Sequence, residues 1–268
     1  MKKRIVLCAD DYGQAPAISK GIIDLVTLKR LSAVSCLTTS LHWPEHAEWL
    51  KPHMSAIDVG LHFNLTEGKM PLSRLMLKAG LRQLSKETIR TELHQQIDAF
   101  EKALGRLPQF LDGHQHVHQF PIIRDAVVEV YNERLKSTNA YIRLVKTTYD
   151  PGDTLANFKK AVVQSMGTQK FANLLKENNI PHNSSFNGMY SFSDADAFGR
   201  IFFNMLATSP DGTLMMCHPG LDSTDKNDPI AKARFAEYQY FTSRHFLADL
   251  AACNLEIASF ATSETEAV

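Results

Sequence analysis

The chain has 268 residues, 44% of them hydrophobic, and Lys plus Arg and Asp plus Glu both number 29, so the formal net charge is zero. That length fits one α/β barrel with a sizeable core and excludes a disordered chain. The charge balance excludes the basic footprint of a nucleic-acid binder, and no apolar run approaches the roughly 20 residues of a membrane span.

"MKKRIVLCADDYG" sets three basic residues before an apolar run, as a secretory leader does. Ile5–Ala9 is only five residues long before two aspartates, shorter than the ~7–15 apolar residues of a leader. A soluble cytoplasmic protein is expected. Cys8, Cys36, Cys217 and Cys253 form no C-x-x-C pair and lie in or beside apolar runs, as buried thiols in a reducing compartment do.

Ile5–Ala9 reads as the first strand, followed by helical spacing at Ile18, Ile22, Leu25 and Val26. Ala33–Thr38 is a second strand and Ile57–Leu65 a third. Between them "LHWPEHAEW" offers Trp43 either for stacking on a sugar ring or for plain packing. Ile89, Leu93, Ile97, Phe100 and Leu104 make a helical stripe closed by Gly105, with Pro108 just beyond. Phe110–His116 is a fourth strand, followed by a helix through Ile123, Val127 and Val130. Tyr141–Val145 is a fifth strand. Leu155–Asn178 suits two helical segments broken near Gly167, with Lys159–Lys160 on a solvated face.

A sixth strand lies near Ser184–Asn187. Ser193 with Asp196 resembles a capping box before the core stripe Phe198, Ile201, Phe202 and Met205. Thr213–Cys217 is a seventh strand, Phe235, Tyr238, Phe241 and Thr242 suit a helix, and Leu255–Phe260 is a last short strand. Alternating strands and helices predict a parallel sheet. The expected architecture is a single distorted or incomplete (β/α) barrel of about seven parallel strands over residues 1–262, with a frayed tail at 263–268.

In such folds the chemistry sits at the C-terminal ends of the strands. Strand one ends in Asp10 and Asp11. Strand three ends in His62, Phe63 and Asn64. Strand four ends in Asp112, His114, His116 and His118, strand five carries Arg143, and strand seven ends in His218. Five of the eleven histidines thus fall on one predicted face. Strand alternation would place Asp112, His114 and His116 on one side, where burial without a partner ion is costly. One carboxylate with two imidazoles is a divalent-metal set with open positions. Asp10 and Asp11 are adjacent, so one can ligate while the other takes a proton from water, and His218 is placed to protonate a leaving group. Such a site suits hydrolysis of an amide. Zinc fits the donor set best, since magnesium prefers more oxygen ligands. No G-x-S-x-G, Walker or G-x-G-x-x-G motif occurs.

"ADDYG" (Ala9–Gly13), "GLHFNLTEGK" (Gly60–Lys69), "LDGHQHVH" (Leu111–His118), Ile142–Arg143, "CHPG" (Cys217–Gly220) and "RFAEYQYFTS" (Arg234–Ser243) resemble the YdjC-like carbohydrate deacetylases, which include the chito-oligosaccharide deacetylases. The resemblance implies one divalent metal, Zn2+ or Mg2+, held by Asp11, His62 and His114. It makes Asp10 the base, His218 the acid, and Arg143 a residue that orients the base. His116 and His118 fall to supporting or substrate-side roles, Asp112 to orienting a histidine, and Asn64 to the same outer group. The expected substrate is a small acetylated carbohydrate, with a homodimer kept open as the assembly. Met70 and the short basic stretch Pro71–Leu84 depart from the family's pattern. The alternatives are a metal hydrolase of another amide, an ester or a phosphodiester, and a non-catalytic carbohydrate binder. Loss of one of the five site positions would favour the binder, and all five are present.

Overall fold

The computed structural model describes residues 2–147, 167–225 and 227–260. Among these residues eight strands form one parallel sheet: β1 (Lys3–Tyr12), β2 (Ala33–Cys36), β3 (Asp58–Phe63), β4 (Phe110–Gly113), β5 (Tyr141–Ile142), β6 (Phe186–Asn187), β7 (Thr213–Cys217) and β8 (Leu255–Ile257). The spatial order is β5-β4-β3-β2-β1-β7-β6, and β8 pairs with the start of β1 through Lys3↔Leu255. Two isolated parallel bridges, Ile142↔His182 and Thr147↔Phe186, tie the β5 edge to the β6 edge. The sheet is therefore a curled, distorted barrel, as the alternating pattern predicts.

Strand alternation divides the core in two. One face of β1 contributes Ile5, Leu7 and Ala9 to the large cluster shared with the helices. The other contributes Val6 and Cys8 to a smaller cluster with Ala33, Phe110, Tyr141, Val145, Phe186, Leu214, Met216 and Phe260. These residues recur from strand to strand at matching heights and fill the barrel interior. Phe110, Tyr141 and Phe260 stack there in sequence, with ring centroids 4.9 and 3.9 Å apart. Gly60 is required beside them, because a Cβ at that position would lie 2.4 Å from the Phe110 ring.

The helices cover the outer face. They are α1 (Pro16–Thr27), α2 (Trp43–Leu50), α3 (Leu72–Gly80), α4 (Lys86–Leu104), α5 (Ile123–Arg134), α6 (Thr168–Glu177), α7 (Phe198–Thr208), α8 (Ala231–Thr242) and α9 (Arg244–Ala252). In α4, Ser85 caps the start by accepting from Thr88 N, and Gly105 closes the end at φ 71°. Trp43 is buried, stacks on Phe100 at 5.9 Å and donates to the Ala99 carbonyl, so its role is packing.

Three sequence expectations are corrected. Strand four ends at Gly113 rather than His116, because Gln115 and His116 turn left-handed (φ 54° and 61°) inside a 3-10 segment, His114–Gln119. Strand five ends at Ile142, before Arg143. The Ser193–Asp196 capping box does not form: a 3-10 segment kinked at Asp194 precedes α7, whose N-cap is Ala197, and Ser193 Oγ instead meets Ser191 Oγ. The basic stretch after Pro71 is helix α3, seated by Leu75 and Ala79. Residues 155–166, with Lys159–Lys160, and the tail at 263–268 lie outside the described residues.

Candidate active site

Above the apolar interior, the same alternation turns polar at the C-terminal strand ends. Two residues beyond Cys8 stands Asp10, beyond Phe110 stands Asp112, beyond Tyr141 stands Arg143, and beyond Met216 stands His218. All but His218 are at most 1% exposed. Asp11 should point the other way. The register between β1 and β2 slips between Ala9 and Tyr12, and Asp11 takes φ 66°. This bulge re-aims a side chain that a regular strand would send outward.

Asp11 Oδ1 lies 2.9 Å from His114 Nδ1 and 3.3 Å from His62 Nε2, and those two nitrogens are 3.3 Å apart. Behind this triangle, His62 Nδ1–H donates to Asp112 Oδ1 at 2.7 Å, which turns Nε2 toward Asp11 and His114. Ser35 Oγ donates to the same Asp112 oxygen at 2.6 Å. Burial works against a charged His62, but Asp112, Asp10 and Asp11 outweigh it and raise the ring to about 10. Burial likewise opposes ionisation of Asp11, yet Arg234 and His114 hold its carboxyl well below the usual range. Three converging donor atoms in a pocket that draws positive charge fit a divalent cation.

A second cluster, Cys8, Asp10 and Asp112, also brings ligand-type atoms within 4.8 Å. Its cation is part of the chain. Arg143 is wholly buried and meets Asp10 with two 2.6 Å hydrogen bonds, Nη1 to Oδ2 and Nη2 to Oδ1. Its Nη2 also lies 2.6 Å from Asp112 Oδ2 and donates to Cys8 Sγ at 3.1 Å. Burial alone would raise Asp112, but Arg143 and His62 bring it down to about 2. Burial pushes the Cys8 thiol well up.

A cavity of about 750 Å³ opens over the triangle and Asp10. Asp10, Asp11, His62, His114, His116 and His218 line it, with apolar walls that include Leu72, Met76, Phe120 and Phe192. His218 packs edge-on to Phe192 at 5.3 Å, and burial lowers its ring to about 4. His118 is not among the lining residues. Its Nε2–H donates to the Arg143 carbonyl at 2.8 Å, and a Cβ at Gly113 would meet its ring at 2.8 Å. Asn64 supports the rim, its Oδ1 accepting from Thr66 N and Glu67 N.

Sequence reasoning missed two site residues. Arg234 Nη2 donates to Asp11 Oδ2 at 2.7 Å, while its Nε pairs with Asp228. Glu237 is fully buried, accepting from Tyr190 Oη at 2.6 Å and from His218 N at 2.5 Å. Burial raises its carboxyl to about 7. Their spacing of three on α8 was the available signal, since both fall on one helix face.

The family model described as YdjC-like protein matches residues 4–252. A carbohydrate deacetylase of Clostridium beijerinckii is 26% identical over 96% of this chain and 98% of its own length. A chitooligosaccharide deacetylase of Yersinia pestis is 31% identical over 50% of this chain and 58% of its own length. A carbohydrate deacetylase of Danio rerio is 26% identical over 68% of this chain, which spans 61% of that relative. Among solved structures, a candidate cellobiose-phosphate cleavage protein of Enterococcus faecalis superposes with TM-score 0.72 at 17% identity, covering 98% of this chain and 99% of that one. That likeness concerns the fold.

Proposed function

The chain belongs to the YdjC-like protein family, and from that premise we propose that it is a metal-dependent hydrolase that removes acetyl groups from N-acetylated sugars. The observation that carries this reading is the convergence of Asp11, His62 and His114 under a cavity that Asp10 and His218 also line. Relatives named carbohydrate deacetylase and chitooligosaccharide deacetylase support the substrate class.

A divalent ion held by Asp11, His62 and His114 supplies a Lewis acid and a more acidic water. The remaining chemistry belongs to the chain. Asp10 takes a proton from the water that attacks the acetyl carbonyl, and Arg143 fixes the plane of that carboxylate by its two hydrogen bonds. The amide C–N bond breaks as the nitrogen is protonated by His218, giving acetate and a free amine. A ring lowered to about 4 is neutral in the free site, so the proton it delivers enters with the reaction, from the attacking water by way of Asp10. The apolar walls at Phe120 and Phe192 suit the faces of a sugar ring or the acetyl methyl.

Zinc is the preferred ion on donor chemistry, with magnesium the second choice. Four free thiols, three of them buried, favour a cytoplasmic setting, and no described helix is long and apolar enough to cross a membrane. The test is acetate release from N-acetylglucosamine oligomers by metal-loaded protein and by Asp10→Asn. Release that falls by about 100-fold or more in the variant supports the reading. Equal release, or none on any acetylated sugar, overturns it.

A further inference from the structure

The loop after β7 has to present His218 to the cavity, yet the ring has little to hold it. His218 Nδ1 is buried without a hydrogen-bond partner, and Phe192 offers only an edge contact. Pro219 has no N–H, so the His-Pro-Gly turn can be fixed through only a few main-chain groups. Three of them meet α8. The His218 N–H donates to Glu237 Oε2 at 2.5 Å, the His218 carbonyl lies 3.5 Å from Arg234 Nη1, and the Gly220 N–H donates to the Arg234 carbonyl at 3.1 Å. Glu237 is held in turn by Tyr190, which lines the cavity beside Phe192.

We propose that Glu237 is a positioning residue for the acid: its buried carboxyl, anchored by Tyr190, clamps the main chain of His218 and so aims the imidazole at the leaving nitrogen. This rests on the proposed role of His218. The carboxyl makes its hydrogen bonds to Tyr190 and the His218 N–H and none to the donor triangle or Asp10, so its direct hold on the site is through His218. Arg234 shares the clamp but also contacts Asp11, which makes Glu237 the cleaner residue to test. Glu237→Gln keeps one oxygen for the His218 N–H, and its amide can donate to Tyr190 Oη, whose hydroxyl also accepts.

The test is a double-mutant cycle on acetate release by metal-loaded protein, using long incubations to quantify weak variants. Glu237→Ala should lower kcat about 10- to 100-fold, the loss expected when a buried N–H donor is left unpaired, with KM within about threefold. Glu237→Gln should stay within about threefold of wild type. In a His218→Ala background, Glu237→Ala should cost less than about twofold more, because the group it aims is gone. Tyr190→Phe, which loosens the anchor without emptying the site, should lower kcat about three- to tenfold and keeps the test alive if Glu237→Ala does not fold.

Equal losses from Glu237→Ala with and without His218 would show a general structural role and overturn the proposal, as would full activity in both Glu237→Ala and Tyr190→Phe. If His218→Ala itself keeps full activity, the assignment of the acid has failed and the clamp falls with it. If His218→Ala is impaired while Glu237→Ala is not, only the clamp has failed.

Discussion

Two clusters of ligand-type side chains stand side by side at the barrel mouth, and they differ in one respect. Cys8, Asp10 and Asp112 enclose a cation the chain already carries, the guanidinium of Arg143. Asp11, His62 and His114 converge on one another, and the positive charge they draw is borne by a proton on His62. Residue types and spacing alone do not separate these clusters. What separates them is where the chain's own cation sits: Arg143 bonds into the first cluster, whereas Arg234 meets only Asp11 Oδ2 from outside and leaves Oδ1 to the two histidines. The two also share a wall, because Asp112 accepts from His62 on one oxygen and pairs with Arg143 on the other. The internal cation thereby fixes the histidine that faces the external one.

The sharpest way to break this contrast is to remove the internal cation. Arg143→Leu leaves Asp10 and Asp112 buried without their counter-charge. Breaking a buried pair of this kind costs about 3–5 kcal/mol, so urea unfolding should show a loss of that size or a failure to fold. A variant of near wild-type stability would mean that the Cys8–Asp10–Asp112 cage does not depend on its guanidinium.

The shared wall gives a smaller effect. Asp112→Asn keeps the shape but weakens the hold on His62 Nδ1, and divalent-ion affinity measured by calorimetry should fall about 10- to 100-fold. Cys8→Ser, confined to the other cluster, should leave that affinity within about twofold.

A pH series sharpens the comparison further. The His62 ring sits at about 10 in the metal-free fold against its ordinary 6.5. The stability it contributes is therefore full below about pH 6.5 and is lost as the pH rises toward 10. Thermal midpoints of chelator-treated protein should decline across that window, while metal-loaded protein, whose Nε2 is already committed, should show a flatter profile. Parallel declines would contradict the assignment. Ser35→Ala should have the smallest effect, at most about fivefold in ion affinity, because Asp112 keeps both His62 and Arg143.

Much of the barrel and part of its site were legible in the sequence because β-structure has a period of two. Cys8 with Asp10, Phe110 with Asp112, Tyr141 with Arg143, and Met216 with His218 each place a polar residue one step above a filled interior layer. Short apolar runs between helical stripes marked the strands to within a few residues. The period failed where the backbone leaves it. Asp11 reaches the triangle through a bulge, and His114 through a strand that stops at Gly113. Neither irregularity has a clear sequence mark, so alternation carried the strand on through His116 and left His118 open. His118 turns instead to the Arg143 carbonyl. Arg234 and Glu237 escaped for another reason. A helix pattern assigns charged residues to solvent, and only the packed structure shows that this face of α8 lies against the site.

The central claim, that the barrel mouth holds one exchangeable cation at Asp11, His62 and His114 and none at Cys8, Asp10 and Asp112, is tested most directly by anomalous diffraction from crystals soaked in zinc. The account predicts a single peak at the mouth, about 2.0–2.2 Å from Asp11 Oδ1, His62 Nε2 and His114 Nδ1. A peak bounded by Cys8, Asp10 and Asp112, or one ligated by His116 or His118 in place of His114, would contradict it.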